Sequence, residues 1–199
     1  MGKVGLCRQN QKSIWIIMKV CVFCASSAEI DPIYMQMATR LGQLLAENSI
    51  TCINGAGNQG LMGALNNAIL RHGGEVIGII PQFMVDNDWC HSSLTDLIIT
   101  DTMHERKMQM TSMSDAVIAL PGGFGTLEEL AEIITWKQLG LYNNPVIIVN
   151  CNNYYDSLLA FFDKIVSEKF MPASHRETWQ VVNNPETAIQ LILNQHTEN

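Results

Sequence analysis

Short, continuous apolar runs alternate along this chain with longer stretches in which apolar residues recur every three or four positions. The runs are Met18–Cys24, Ile50–Asn54, Glu75–Ile80, Leu97–Thr100, Ala116–Leu120 and Pro145–Asn150. Runs of this length, bounded by Gly, Pro, Asn or Ser, read as buried strands. Between them Ile33–Asn48, Leu61–Arg71, Asp101–Ser114, Thr126–Leu139 and Tyr154–Lys169 read as helices. In the first helix Met37, Leu41, Leu44 and Leu45 share a side. In the fourth, Leu127, Leu130, Ala131 and Ile134 form the expected buried stripe. In the last, Leu158, Leu159, Phe162, Ile165 and Val166 form the expected core face. Thr178–Val182 reads as a short added strand. Pro185–Leu193 reads as a terminal helix with proline at a favoured first position. Residues 82–95 read as an irregular loop carrying Asp86, Asp88, Trp89 and His91, of a length at which loops often bind ligands.

Six β–α alternations with continuous apolar strands predict an α/β fold: a Rossmann-like, doubly wound parallel sheet of six to seven strands with helices on both faces. No repeat, low-complexity tract or linker interrupts residues 18–199, which read as one nucleotide-binding domain. Residues 1–17 read as a disordered extension, with Met18 as the natural start. Open sheets of this kind bind ligands beyond the carboxyl ends of their strands. The Ser26–Ser27 turn, the Gly55–Gly60 turn, the loop after Pro81 and the Gly122–Gly125 turn all fall at that edge. Ser26 and Gly57 are candidate contacts by this placement.

Composition narrows the choice of partner. A length of 199 residues and 47% hydrophobic content suit one domain with a proper core. A formal net charge of −7 argues against broad capture of nucleic acid or an anionic membrane. No apolar stretch is long enough to span a bilayer, and Lys19 interrupts the only apolar region near the N-terminus. Six cysteines are present; Cys21, Cys24 and Cys52 lie in apolar, strand-like surroundings. Cys21-x-x-Cys24 lacks a second half-site, so buried free thiols in a reducing cytoplasm are the better reading. Of eleven methionines, Met103, Met108, Met110 and Met113 fall near one helix, where packing against core or subunit explains them.

The densest chemistry lies in Ala119–Leu130. A strand leads into Gly122, Gly123 and Gly125, and a helix follows from about Thr126, a good N-cap type. The glycines allow positive φ and leave no Cβ in a ligand's way. Free N–H groups at such a turn, together with the helix dipole, make an anion site, for phosphate above all. Glu128 and Glu129 fall in the first helical turn, about 100° apart, so only one faces a ligand, and spacing does not choose between them. An ordinary βα turn with acids placed for the dipole would contain the same residues. Gly55-x-Gly57-x-x-Gly60 matches the dinucleotide fingerprint as a pattern only. It follows the second strand, and no acid ends the next one, so it reads as a turn against a mononucleotide, without nicotinamide or flavin. His104–Lys107 opens a helix with adjacent cations. Arg106 offers a planar fork for phosphate or ribose oxygens and Lys107 a point charge, with a solvated helix face as the plain alternative. His91, His104 and the neighbouring carboxylates fit no metal-site spacing, and no metal is expected.

Pro121–Glu129 and Met103–Lys107 carry the patterns PGGxGTxxE and MHxRK without departure. With Cys24–Ser27 and Gly55–Gly63, they resemble the LOG ("Lonely Guy") family, long labelled lysine decarboxylases, from about Met18 to the C-terminus. The resemblance implies a Rossmann-like homodimer that cleaves the N-glycosidic bond of nucleoside 5′-monophosphates, AMP or cytokinin riboside monophosphates, to free base and ribose 5-phosphate. It implies no cofactor. By position it makes Arg106 and Glu129 the catalytic pair. Lys107, Thr135 and the turn and helix start (Gly122, Gly123, Phe124, Gly125, Thr126, Leu127 and Glu128) become nucleotide contacts. Asp88 falls where many members carry Glu, a side chain one methylene longer. The decarboxylase label implies a pyridoxal phosphate lysine, for which the sequence offers no context.

In that reading an ionised Glu129 stabilises positive charge building on the ribose and directs the attacking water. The helix dipole is expected to keep it ionised. Arg106 grips ribose or phosphate, and the Gly123–Thr126 turn anchors the 5′-phosphate far from the bond that breaks. A second reading is a non-catalytic nucleotide or molybdenum-cofactor carrier of the same fold; intact Arg106 and Glu129 favour the enzyme.

Overall fold

In a computed structural model, which describes residues 18–197, all seven strands form one parallel sheet. The elements run β1 (Lys19–Phe23), α1 (Pro32–Glu47), β2 (Thr51–Asn54), α2 (Gly60–Arg71), β3 (Val76–Pro81), α3 (Gln82–Asp86), β4 (Asp96–Thr100), α4 (Met103–Ser112), β5 (Ala116–Ala119), α5 (Phe124–Gln138), β6 (Val146–Val149), α6 (Asp156–Ser167), β7 (Gln180–Val182) and α7 (Pro185–Thr197). The α/β sheet is as expected, with Gln180–Val182 as its seventh strand. The extension read at residues 1–17 lies outside the described residues.

The strand order is β4-β3-β2-β1-β5-β6-β7. Chain order reverses between β1 and β5, registered Val20 to Ala116 through Phe23 to Ala119. That reversal leaves a crevice at the carboxyl ends of the strands, where open sheets bind ligands. Side chains alternate across the sheet with period two. Val20 and Val22 enter the core beneath α1, α2 and α7, while Cys21 and Phe23 enter the core beneath α4 and α5. Burial on both faces is why these strands are continuous apolar runs.

Local signals set the helix starts. Asp31 caps α1, accepting from Ile33 N at 2.9 Å, with Pro32 at the first position. Thr102 and Glu105 form a reciprocal capping box on α4. Four sequence readings change. The 82–95 segment is not wholly irregular: Pro81 leads into α3, steadied by Gln82 Nε2 donating to Asp86 Oδ1 at 2.8 Å. α5 starts at Phe124 with Gly123 as its N-cap, and Thr126 is a buried residue inside the helix. Its buried stripe is Thr126, Glu129, Leu130, Ile133 and Ile134, while Ala131 is exposed. The expected core face of α6 is only half-buried.

Candidate active site

A cleft of about 560 Å³ opens at the carboxyl edge of the sheet. Ser26 lines it from the turn after β1, and Gly55, Gly57, Asn58 and Gln59 from the turn after β2. Met84 and Trp89 come from the segment after β3, Met103 and Arg106 from α4, and Gly123, Phe124, Gly125, Thr126 and Glu129 from the start of α5.

At its floor, Arg106 Nη1 lies 3.3 Å from Glu129 Oε1, with the side chains 8% and 10% exposed. Arg106 Nε donates to Ile79 O at 3.0 Å, which fixes the guanidinium plane. Gly55 makes room for it: a Cβ there would lie 1.9 Å from Arg106 Nη2. Glu129 is pushed up from 4.5 to about 7, first by burial, with Arg106 pulling it back down and Glu128 pushing it further up. The dipole argument for a fully ionised acid therefore fails. α5 begins at Phe124, which puts Glu129 beyond the first turn, where the dipole acts.

The glycine turn works differently from its sequence reading as well. Among the described glycines only Gly60, Gly73 and Gly140 have positive φ. Gly122 is needed because a Cβ would meet Thr126 Oγ1 at 2.1 Å. Gly123 and Gly125 have no heavy atom within 4 Å of their Cβ positions and leave the amide end of α5 open. No side chain caps that end, so its N–H groups and the dipole favour an anion in the cleft.

The Gly55–Gly60 turn is fastened from several sides. Asn54 Oδ1 accepts from Ala56 N at 2.9 Å, Asn54 Nδ2 donates to Asn66 Oδ1 at 2.6 Å, and Asn66 Nδ2 donates to Gly57 O at 3.2 Å. Ala56 is held at φ 62°, in the left-handed region. His91 N donates to Ala56 O, and Asn58 N to Trp89 O, so the turn also carries Trp89 into the cleft.

Residues 62–192 match the model of the family described as "Possible lysine decarboxylase". The chain belongs to this family, the LOG family. It is 41% identical over 174 residues to a cytokinin riboside 5′-monophosphate phosphoribohydrolase of Arabidopsis thaliana, covering 87% of this chain and 82% of that one. A second Arabidopsis thaliana phosphoribohydrolase of the same description is 42% identical over 174 residues, covering 87% and 80%. The fold is also that of the molybdenum cofactor binding protein from Rippkaea orientalis, with a TM-score of 0.69 at 23% identity over 89% of this chain and 96% of that one.

Of the residues singled out by the LOG resemblance and by the sheet edge, Ser26, Gly57, Arg106, Gly123, Phe124, Gly125, Thr126 and Glu129 line the cleft together. Six others stand outside its lining. Lys107 bonds Glu128 and also lies 3.2 Å from Glu132, bracing α4 against α5. Gly122 lies behind the turn, and Leu127 packs on the core. Asp88 is exposed at φ 61°, its carbonyl accepting from Asn58 Nδ2 at 2.9 Å. Thr135 is exposed, its hydroxyl donating to Ala131 O.

The sequence reading missed the apolar wall of the cleft, Met62, Ile80, Met84 and Met103. No motif marks such residues, because a wall needs only bulk and shape. Cys24, also in the lining, has its thiol pushed up by burial and stays protonated at neutral pH. No lysine lines the cleft, so its residues do not fit a pyridoxal phosphate Schiff base. A second cavity, about 400 Å³ beside Met18, Asp115, Lys137 and Trp179, holds none of the motif residues.

Proposed function

We propose that this chain hydrolyses the N-glycosidic bond of nucleoside 5′-monophosphates, AMP and cytokinin riboside 5′-monophosphates, releasing free base and ribose 5-phosphate. The observation that carries this reading is the buried Arg106–Glu129 pair on the floor of a cleft that also holds the open amide end of α5. The 5′-phosphate docks on the amides of Gly123–Thr126, and the base lies along the wall of Met62, Met84, Met103 and Trp89. Lengthening of the bond from C1′ to the base nitrogen builds positive charge on the ribose. The Glu129 carboxylate stabilises that charge and takes a proton from the attacking water. The water oxygen bonds to C1′, the electron pair of the broken bond leaves with the base, and the base gains the proton. Arg106 orients Glu129 and the ribose hydroxyls.

The remaining positions act less directly. Gly122 and Leu127 support the turn, Lys107 and Glu128 tune Glu129 from behind, and Asp88 acts through Asn58. Thr135 meets a nucleotide only where a second copy packs on the exposed face of α5, in the homodimer the family resemblance implies. Exposed Met108, Leu139 and Leu141 offer apolar surface for that contact. Free Cys21, Cys24, Cys52, Cys90 and Cys151 support residence in a reducing compartment such as the cytoplasm. Among the described residues no helix is long and apolar enough to cross a membrane.

The test is to incubate the protein with AMP and with isopentenyladenosine monophosphate and to follow free base by chromatography, with Arg106→Ala and Glu129→Gln as controls. Base release that vanishes in both variants supports the reading. Nucleotide that binds and is never cleaved overturns it.

A further inference from the structure

Resting on the reading of the glycine turn as the phosphate cradle, we propose that Tyr154 is a positioning residue for that turn. Its hydroxyl holds the Gly122 carbonyl and so aims the Gly123 amide at the substrate's phosphate. Tyr154 belongs to none of the sequence motifs and lies outside the cleft lining.

Two adjacent hydroxyls reach under the turn. Tyr154 Oη donates to Gly122 O at 2.7 Å, and Tyr155 Oη donates to Leu120 O at 2.6 Å. A trans peptide is planar, with its C=O and N–H pointing opposite ways. Holding Gly122 O toward Tyr154 therefore turns Gly123 N–H away from it. Gly123 lines the cleft and is the N-cap of α5. The companion bond has no such effect. The peptide after Leu120 belongs to Pro121, which has no N–H to aim. Tyr155 is buried and secures the fold, whereas Tyr154 acts on a ligand donor.

The backbone before the pair is strained in a way this role explains. Asn152 and Asn153 both sit in the left-handed region, at φ 51° and 57°. Asparagine tolerates that region better than most residues, but two in succession persist only where surrounding bonds enforce them. The enforcing bonds are Asn150 Oδ1 accepting from Tyr155 N at 2.7 Å and Asn150 Nδ2 donating to Asp156 Oδ1 at 2.8 Å. The Tyr154 ring is further set edge-on between Tyr34 and Tyr155, with centroids 5.6 and 5.0 Å away. The hydroxyl thus arrives at Gly122 already placed.

The experiment uses full-length protein and measures binding of AMP, adenosine and inorganic phosphate by calorimetry, with steady-state kinetics on AMP. Wild type is expected to bind AMP more tightly than adenosine. In Tyr154→Phe, affinity for AMP and for inorganic phosphate falls about fivefold, the worth of one aimed hydrogen bond, while adenosine affinity holds. The KM for AMP rises by the same factor and kcat stays within about twofold. Tyr155→Phe, the structural control, lowers the melting temperature and keeps the wild-type ratio of AMP to adenosine affinity. A folded Tyr154→Phe with an unchanged ratio overturns the role of Tyr154 alone. Wild type that does not distinguish AMP from adenosine overturns the cradle, and this inference with it, before any variant is made.

Discussion

Arg106 Nη1 and Glu129 Oε1 stand 3.3 Å apart, both side chains at most 10% exposed, on elements that come together only in the fold. Burial outweighs the guanidinium, and the acid titrates at about 7 instead of 4.5. The folded chain holds this proton where the unfolded chain has released it. The group's contribution to stability is therefore fully present below 4.5 and is lost as pH climbs to about 7. Activity runs the other way, because the ionised form does the work. The kcat/KM for AMP should rise with pH along a limb centred at about 7. A limb at 4 to 5 in the pH–rate profile would place the working acid in solvent, which Glu129 is not.

Glu129→Gln keeps the size of the side chain and its contact with Arg106 but removes the charge and the proton acceptor. Turnover should fall by roughly 10²–10⁴-fold, the usual worth of a general base, with AMP affinity nearly unchanged. The check pairs single-turnover kinetics with calorimetry. Equal losses in binding and turnover would make Glu129 a binding group.

Gly55→Ala puts a methyl group 1.9 Å from the present position of Arg106 Nη2. The guanidinium has to move, and in moving it strains the bond that its Nε donates to Ile79 O. A displacement near 1 Å at a positioning group costs on the order of 10²-fold in kcat/KM. Arg106→Lys, which is shorter and lacks the fork, should partly relieve the clash, so the double variant should melt above Gly55→Ala. If Gly55→Ala keeps the wild-type kcat/KM, or the two variants melt alike, the steric argument is wrong.

Lys107 pulls the Glu129 titration down, while Glu128 and Glu132 push it up. Each charge removed should move the activity limb in its own direction. Lys107→Met shifts the limb to higher pH, and Glu128→Gln and Glu132→Gln shift it to lower pH. Three pH–rate profiles decide the matter, and shifts of one common sign would mean that the helices simply loosened.

Much of this was legible from the sequence, and the exceptions have physical causes. The parallel sheet could be read because buried strands must be continuously apolar, as Val146–Val149 are. Arg106 and Glu129 could be named from motifs, but their meeting could not, since α4 and α5 are separated by β5. The choice between Glu128 and Glu129 was within reach. Leu130, Ile133 and Ile134, stepped back by three and four, lead to Thr126 and Glu129 on the buried face. Taking exposed Ala131 for a stripe residue hid that pattern. The raised acid could not be read at all, because desolvation depends on what packs overhead and not on the helix position alone.

Asn54 and Asn66 are both fully buried and hold the Gly55–Gly60 turn by their side chains. Asn66→Leu keeps the volume and removes both polar groups. It leaves Asn54 Nδ2 without its 2.6 Å acceptor and Gly57 O without its donor. Such orphaned groups cost about 2 kcal/mol, which lowers the melting temperature by roughly 6 °C in a chain of this size. The same change releases the strained Ala56 backbone, at φ 62°, and with it the shelf on which Arg106 rests. Turnover should therefore fall well beyond what the unfolded fraction explains, measured at 20 °C below the variant's own midpoint. A variant that melts early yet turns over normally at that temperature would show that the asparagine pair serves the fold and leaves the site to hold itself.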